Sequence, residues 1–206
     1  MIGESLNRSQ KITAKGVKHT NCRRHVFISV LIVMAVAIFL SVAHASNDNP
    51  FEGMRTYYEG QYRVGRDFIA GEYVLLNTSE YSGYFAISSD ANGRNTIANG
   101  LFEVNSIITV YDGEYLNLSR CIAIESTDFY SSYTIKTDRD GTMLKVGYDI
   151  LPGEYKLIAA SGTSGYYSIY NDSRQIDIID NSLFKNSAWV TVKQGQYIIL
   201  SRCHIQ

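Results

Sequence analysis

"DGEYLNLSRC", Asp112–Cys121, and "QGQYIILSRC", Gln194–Cys203, are near copies of one another 82 residues apart. The offset holds far upstream. "YRVGRDFIAGEYVLL", Tyr62–Leu76, falls on "LKVGYDILPGEYKLI", Leu144–Ile158, and "SGYFAI", Ser82–Ile87, falls on "SGYYSI", Ser164–Ile169. Residues 62–121 share 25 identities over 60 positions with the second copy, without a gap. This is an internal duplication, and the missing gap means that both copies use the same loops. A fainter echo lies inside each copy. Gly71, Gly113, Gly153 and Gly195 are each followed two residues later by Tyr. We read each as a tight turn with Gly at an unusual backbone angle, then a strand led by an aromatic side chain.

Tyr, Ile, Val, Thr and Phe crowd both copies, and all 16 tyrosines lie after residue 56. Such segments favour strands. No long stripe of helical period follows residue 46. In the first copy the pattern predicts strands over 61–66, 71–77, 82–89, 95–103, 106–111 and 114–121, with the second copy following at the same offset. The expected fold is all-β: two tandem small antiparallel β-sandwich or barrel modules after an N-terminal apolar helix. A module this small buries only about 60% of its unfolded surface, so the two are expected to pack together. Strand 114–121 points the same way. Tyr115, Asn117 and Ser119 share one face, and in the second copy Ile199 stands where Asn117 was, so that face is apolar and suited to being covered.

The first quarter of the chain differs in kind. Residues 1–25 carry Arg8, Lys11, Lys15, Lys18, Arg23 and Arg24 against Glu4 alone. An apolar run, Val26–Ala43, follows and ends in "AHAS". A basic segment, an apolar segment and a small-residue exit describe a signal peptide. Uncleaved, the same run is just long enough for a membrane anchor, and it is the only membrane contact expected. Either way residues 46–206 are expected outside the cytoplasm, secreted or anchored. The expected organisation is a signal peptide or anchor over 1–45, a mobile lead-in over 46–60, a first module over 61–123, a connector over 124–142 that adds a strand, and a second module over 143–206. After Ala45, thirteen Lys and Arg face nineteen Asp and Glu with no basic run, which argues against a nucleic-acid partner.

Cys121 and Cys203 occupy the same position in the two copies, and export permits oxidation. A disulfide between them is one expectation; two buried thiols, one per module, is the other. No G-x-S-x-G, H-E-x-x-H, P-loop or G-x-G-x-x-G occurs, and His204 is the one histidine after the "AHAS" exit. No catalytic residue, cofactor or metal is therefore assigned. "DANGRN", Asp90–Asn95, and "DRDG", Asp138–Gly141, lack calcium-loop spacing and read as turns. The polar residues present in both copies are the candidates for a repeated ligand site or for structural pairs: Asp67 and Asp149, Glu72 and Glu154, Asp90 and Asp172, Arg120 and Arg202. Arg120 sits within a strand and is expected to pair with Asp67 or Glu72. Tyr84, Tyr166 and Tyr167 follow a Ser-Gly turn, where amphipathic rings suit either a core or a contact surface.

The pair "VGRDFIAGEYVLL" and "VGYDILPGEYKLI", each followed by [DQ]-G-[EQ]-Y-x-x-L-S-R, resembles an uncharacterised family of tandem modules in exported proteins and lipoproteins of Gram-positive bacteria. The likeness covers 61–123 and 143–205; the lipobox of the lipoprotein members is absent. The resemblance implies an envelope or secreted role and no reaction. The expected function is non-enzymatic binding, with an unknown protein or glycan at the cell surface as partner. The alternatives are a structural envelope protein and a glycoside hydrolase built on paired carboxylates.

Overall fold

The alternation of apolar and polar residues is realised as strands throughout both copies. The computed structural model describes residues 50–206, so residues 1–45 with their apolar run, and the start of the lead-in, lie outside the described residues. The first module contains β1 (Thr56–Tyr57), β2 (Gly60–Arg63), β3 (Gly71–Asn77), β4 (Gly83–Ser88), β5 (Thr96–Phe102), β6 (Asn105–Val110), β7 (Tyr115–Ser119) and β8 (Cys121–Glu125). They form two antiparallel four-stranded sheets, β1-β8-β3-β6 and β2-β7-β4-β5. The second module contains β9 (Met143–Lys145), β10 (Gly153–Ala159), β11 (Gly165–Tyr170), β12 (Ile178–Phe184), β13 (Ser187–Val192), β14 (Tyr197–Ser201) and β15 (Cys203–Ile205), in sheets β13-β10-β15 and β12-β11-β14-β9. Strands β2 to β8 recur as β9 to β15 at the sequence offset. So does the bulge, which lies between Ile87 and Ser88 in one module and Ile169 and Tyr170 in the other.

Each module is a two-layer sandwich closed by inward residues at alternate positions. In the first, Phe85, Ile87, Leu116 and Leu118 of one sheet meet Tyr73, Leu75, Ile108 and Val110 of the other, all essentially inaccessible. Each such side chain contributes about 1.5–3 kcal/mol when fully buried. Leu157, Val190, Ile169, Ile198 and Leu200 fill the corresponding places in the second.

The repeated motifs build the frame. In V-G-x-D, the Asp67 carboxylate accepts the Arg63 N–H at 3.2 Å, and the Asp149 carboxylate accepts the Lys145 N–H at 2.7 Å. The glycine between cannot carry a side chain. Gly65 has φ +87° and Gly147 +99°, and a Cβ on Gly65 would lie 2.9 Å from the Asp112 carboxylate. In G-E-Y, the Tyr73 hydroxyl donates to the Ile69 carbonyl at 2.9 Å and the Tyr155 hydroxyl to the Leu151 carbonyl at 2.7 Å, tying each strand to the loop before it. Three of the four turn glycines meet the expectation: Gly71, Gly113 and Gly195 have φ +154°, +89° and +82°. Gly153 alone lacks a positive φ and opens β10 with ordinary geometry.

Three expectations are corrected. The strand expected over 114–121 is two strands in different sheets, broken at Arg120. Arg120 has φ +56° and Arg202 +54°, a left-handed conformation that turns the chain from one sheet to the other. The connector adds a helix, not a strand. After β8, α1 (Ser126–Ser132) forms with Asp128 in its first turn, where its charge favours the helix N-terminus, and buries Phe129 in the second module's core. The lead-in is anchored from Phe51 onward. Phe51 and Met54 pack on that same core, Arg55 pairs with Glu125 at 2.6 Å, and β1 pairs with β8.

Candidate functional site

The modules meet through unlike faces. The face of β3 and β6 that looks away from the first module's own core carries Glu72, Val74, Asn105, Ile107 and Thr109. It lies on the outward face of β9, β11 and β14. Val74, Ile107 and Ile124 thereby join the second module's core. The buried Asn105 amide donates to the Met143 carbonyl at 2.8 Å, and its oxygen accepts the Met143 N–H at 3.1 Å. Ile199 packs into the same junction and is partly buried there, and Tyr197 is buried, so the apolar face at 197–199 is largely covered.

Two ion pairs frame this junction. The Glu72 carboxylate accepts from Lys145 Nζ at 2.5 Å, from Ser126 Oγ at 2.6 Å and from the Tyr197 hydroxyl. The side chains of Lys145 and Glu72 are 15% and 18% exposed. Lys145 also lies 4.4 Å from the centre of the Tyr148 ring. Arg174 pairs with Glu114 and donates from Nε to the Thr109 carbonyl at 3.0 Å. Beside the first pair, the Asp149 carboxylate takes the Ile135 N–H at 2.7 Å and the Tyr130 hydroxyl at 2.9 Å. Burial raises the Asp149 pKa above the usual carboxylate value despite these donors, and burial raises the Tyr130 and Tyr197 hydroxyls as well.

The first module's counterpart of the covered face is open. A groove of about 400 Å³ lies on the outer side of β2, β4 and β7. Its residues match the second module's junction residues at the 82-residue offset. Arg63 stands for Lys145, Tyr115 for Tyr197 and Asn117 for Ile199. Ala86, Ala91 and Gly93 stand for Ser168, Ser173 and Gln175, so the open groove is lined by smaller side chains than the covered face. Tyr62 and Tyr84 add partly exposed rings.

The residues singled out from the sequence disperse over the molecule. Asp67 lines the groove and is held by Arg66 at 2.7 Å, a pairing that lowers its pKa. Its repeat partner Asp149 is enclosed at the junction. Glu72 lies in the junction, whereas Glu154 is exposed. Asp90 and Asp172 cap loops: the Asp90 carboxylate accepts the N–H groups of Asn92, Arg94 and Asn95, which lowers its pKa, and Asp172 accepts those of Ile176 and Asp177. The expected pairing of Arg120 with Asp67 or Glu72 does not occur. Arg120 Nε donates to the Ser82 carbonyl at 2.7 Å and Arg202 Nε to the Ser164 carbonyl at 2.9 Å, because each arginine serves its own corner.

The disulfide expectation also fails. Cys121 and Cys203 are free and buried, one in each module's core, with Sγ donating to the carbonyls of Tyr84 and Tyr166. Burial pushes the Cys121 thiol up to about 11 and raises Cys203 too. The identities between copies thus mark structural parts. The residues missed by that criterion, Arg63, Lys145, Arg174 and Trp189, lie where the two copies face different neighbours. The signal for them was the Asn117-to-Ile199 exchange. Among the described residues no helix is long and apolar enough to cross a membrane, and no group of His, Cys, Asp or Glu is arranged to hold a metal ion. No family model matches this chain, and no curated protein matches it significantly.

Proposed function

We propose that this chain is an exported, non-enzymatic interaction protein, and that the groove on β2, β4 and β7 receives a protein partner. One observation carries the reading: the equivalent surface of the second module is already occupied by a sheet face, that of β3 and β6. A surface that receives a strand-built face in one copy is suited to receive one in the other. The three groove tyrosines also suit a glycan, but the open groove exists on one module only, and its covered twin takes protein. Residues 1–45 support export, and the resemblance to tandem modules of exported proteins supports an envelope setting. A carboxylate hydrolase finds less support, since Glu72 and Asp149 are each engaged by several donors and neither lines the groove.

The test is capture from the organism's own envelope fraction with Ser46–Gln206 as bait. Phe51–Gln206 is a compact unit containing both cores, so this species is self-sufficient. Ala86→Trp, which fills the groove, should abolish capture of a discrete protein while the melting temperature stays put. Undiminished capture by that variant would remove the groove as the site.

A further inference from the structure

The groove has a matching face within the same chain. We infer that its occupant is the second module of another copy, docked through the exposed face of β10 and β13, so that chains associate head to tail. This rests on the groove being a protein-binding surface and names its partner.

The face of β3 and β6 that fills the junction has an exact repeat counterpart: Glu154, Lys156 and Ile158 on β10 beside Ser187, Trp189 and Thr191 on β13. That counterpart is open, and Trp189, the one tryptophan of the chain, is 63% exposed in its middle. A large aromatic stranded on a sheet face is a frequent anchor of protein contacts.

The differences between the covered and open surfaces are paired. On the face, Ile107 becomes the larger Trp189. On the receiving side, Ser168, Ser173 and Gln175 become Ala86, Ala91 and Gly93, which makes room. The carboxylate and its donors persist: Glu72 with Lys145 and Tyr197 inside the chain corresponds to Glu154 with Arg63 and Tyr115 between chains. The Glu154 carboxylate and the Arg63 guanidinium are both exposed, and neither forms a hydrogen bond or ion pair within the described residues. The second ion pair, Glu114 with Arg174, corresponds to Gln196 with Asn92. Both members have lost their charge together, which leaves an amide facing an amide with no buried charge unpaired.

The contact is heterologous, one face against a different face, so repeating it extends a row of copies or closes a ring. It is weaker than the junction inside the chain. Lys156 and His204 stand where Val74 and Ile122 stand in the first module, and two separate chains lack the effective concentration of a tethered pair.

Sedimentation velocity on Ser46–Gln206 from about 1 to about 300 µM tests this directly. The weight-average sedimentation coefficient should rise with concentration. Trp189→Ala and Arg63→Glu should each weaken association by about tenfold or more. The double variant Arg63→Glu/Glu154→Arg should recover it, because the charges are exchanged across the contact. All three sites are exposed, so melting temperatures should not move. A wild-type chain that stays monomeric throughout, or association indifferent to Trp189→Ala, overturns the inference. If the wild type is monomeric yet Ala86→Trp still abolishes capture of an envelope protein, the groove stands and only self-occupancy falls; if neither holds, both fall.

Discussion

Ile107 and Trp189 occupy the same position in the two modules and differ in what covers them. Ile107 is 0% exposed at the junction, and its N–H points at the Met143 sulfur 3.2 Å away. Truncation to Ala removes most of the side chain from a site closed on both sides: its own sheet lies beneath, and β9 with its buried neighbours lies above. Neither can move in without breaking the Asn105–Met143 bonds. Collapse is therefore limited, and the loss should fall mid-range for such substitutions, about 3 kcal/mol. For a chain of this size that lowers the melting temperature by about 6–12 °C. Trp189→Ala, at 63% exposure, should change stability by less than about 0.5 kcal/mol at concentrations where the protein is monomeric. Urea unfolding of both variants, followed by fluorescence and far-UV circular dichroism, measures the contrast. A single transition with coincident probes should persist, since one apolar cluster contains residues of both modules. Equal effects at the two positions, or a loss below 1 kcal/mol for Ile107→Ala, would refute the packed junction.

The cysteines and Asp149 give two further checks. Ser46–Gln206 should show no reductant-dependent change in mobility; Cys121 and Cys203 should resist a thiol reagent in the native state and react fully in guanidinium, and rapid native labelling would contradict their burial. Asp149 binds its proton more readily in the folded chain than at its ordinary value of 3.8, so it favours folding on the acid side and loses that contribution as pH rises through its raised pKa. The melting temperature of wild type relative to Asp149→Asn should therefore fall as pH rises from about 4 through the raised pKa and level off above it; a relative melting temperature that is constant across that window, or rises, would be the wrong result.

The duplication made most of the fold legible. Seven strands repeat at one offset, and the alternation of Leu116 and Leu118 with Tyr115 and Asn117 already assigned each face of β7. The corner at Arg120 was not legible, because a left-handed conformation in a residue other than Gly has no compositional mark. It is tolerated here because the guanidinium and the backbone N–H both find acceptors, the Ser82 carbonyl and the Glu59 carboxylate. The helix at 126–132 was hidden for the opposite reason. Its Phe, Tyr and Thr have strand-like propensities, its serines are indifferent helix formers, and burial of Phe129 against the second module overrides them. The groove was hidden by the criterion itself. Identity between copies selects mostly what both modules need, turns, corners and caps, and does not separate from these the identical Glu72 and Tyr197 of the junction. A surface that is covered in one copy and open in the other shows itself through differences.

Those differences have a direction. When a duplicated module stacks on its twin through unlike faces, one face of each kind is used and one of each kind is left over. Leftover sheet faces invite uncontrolled association unless they become polar. Asn117 for Ile199, Gln61 for Met143, and Lys156 for Val74 are changes of that sort. If the leftover faces had only to be soluble, nothing would require Trp189 to enlarge an exposed position. Nor would anything require the lining opposite to shrink to Ala86, Ala91 and Gly93 while Arg63, Tyr115 and Glu154 keep the chemistry of the buried ion pair. Solubility accounts for the polar exchanges but not for the matched exchanges in size and charge, which fit the proposed partner, one of the shape that the first module already presents to the second.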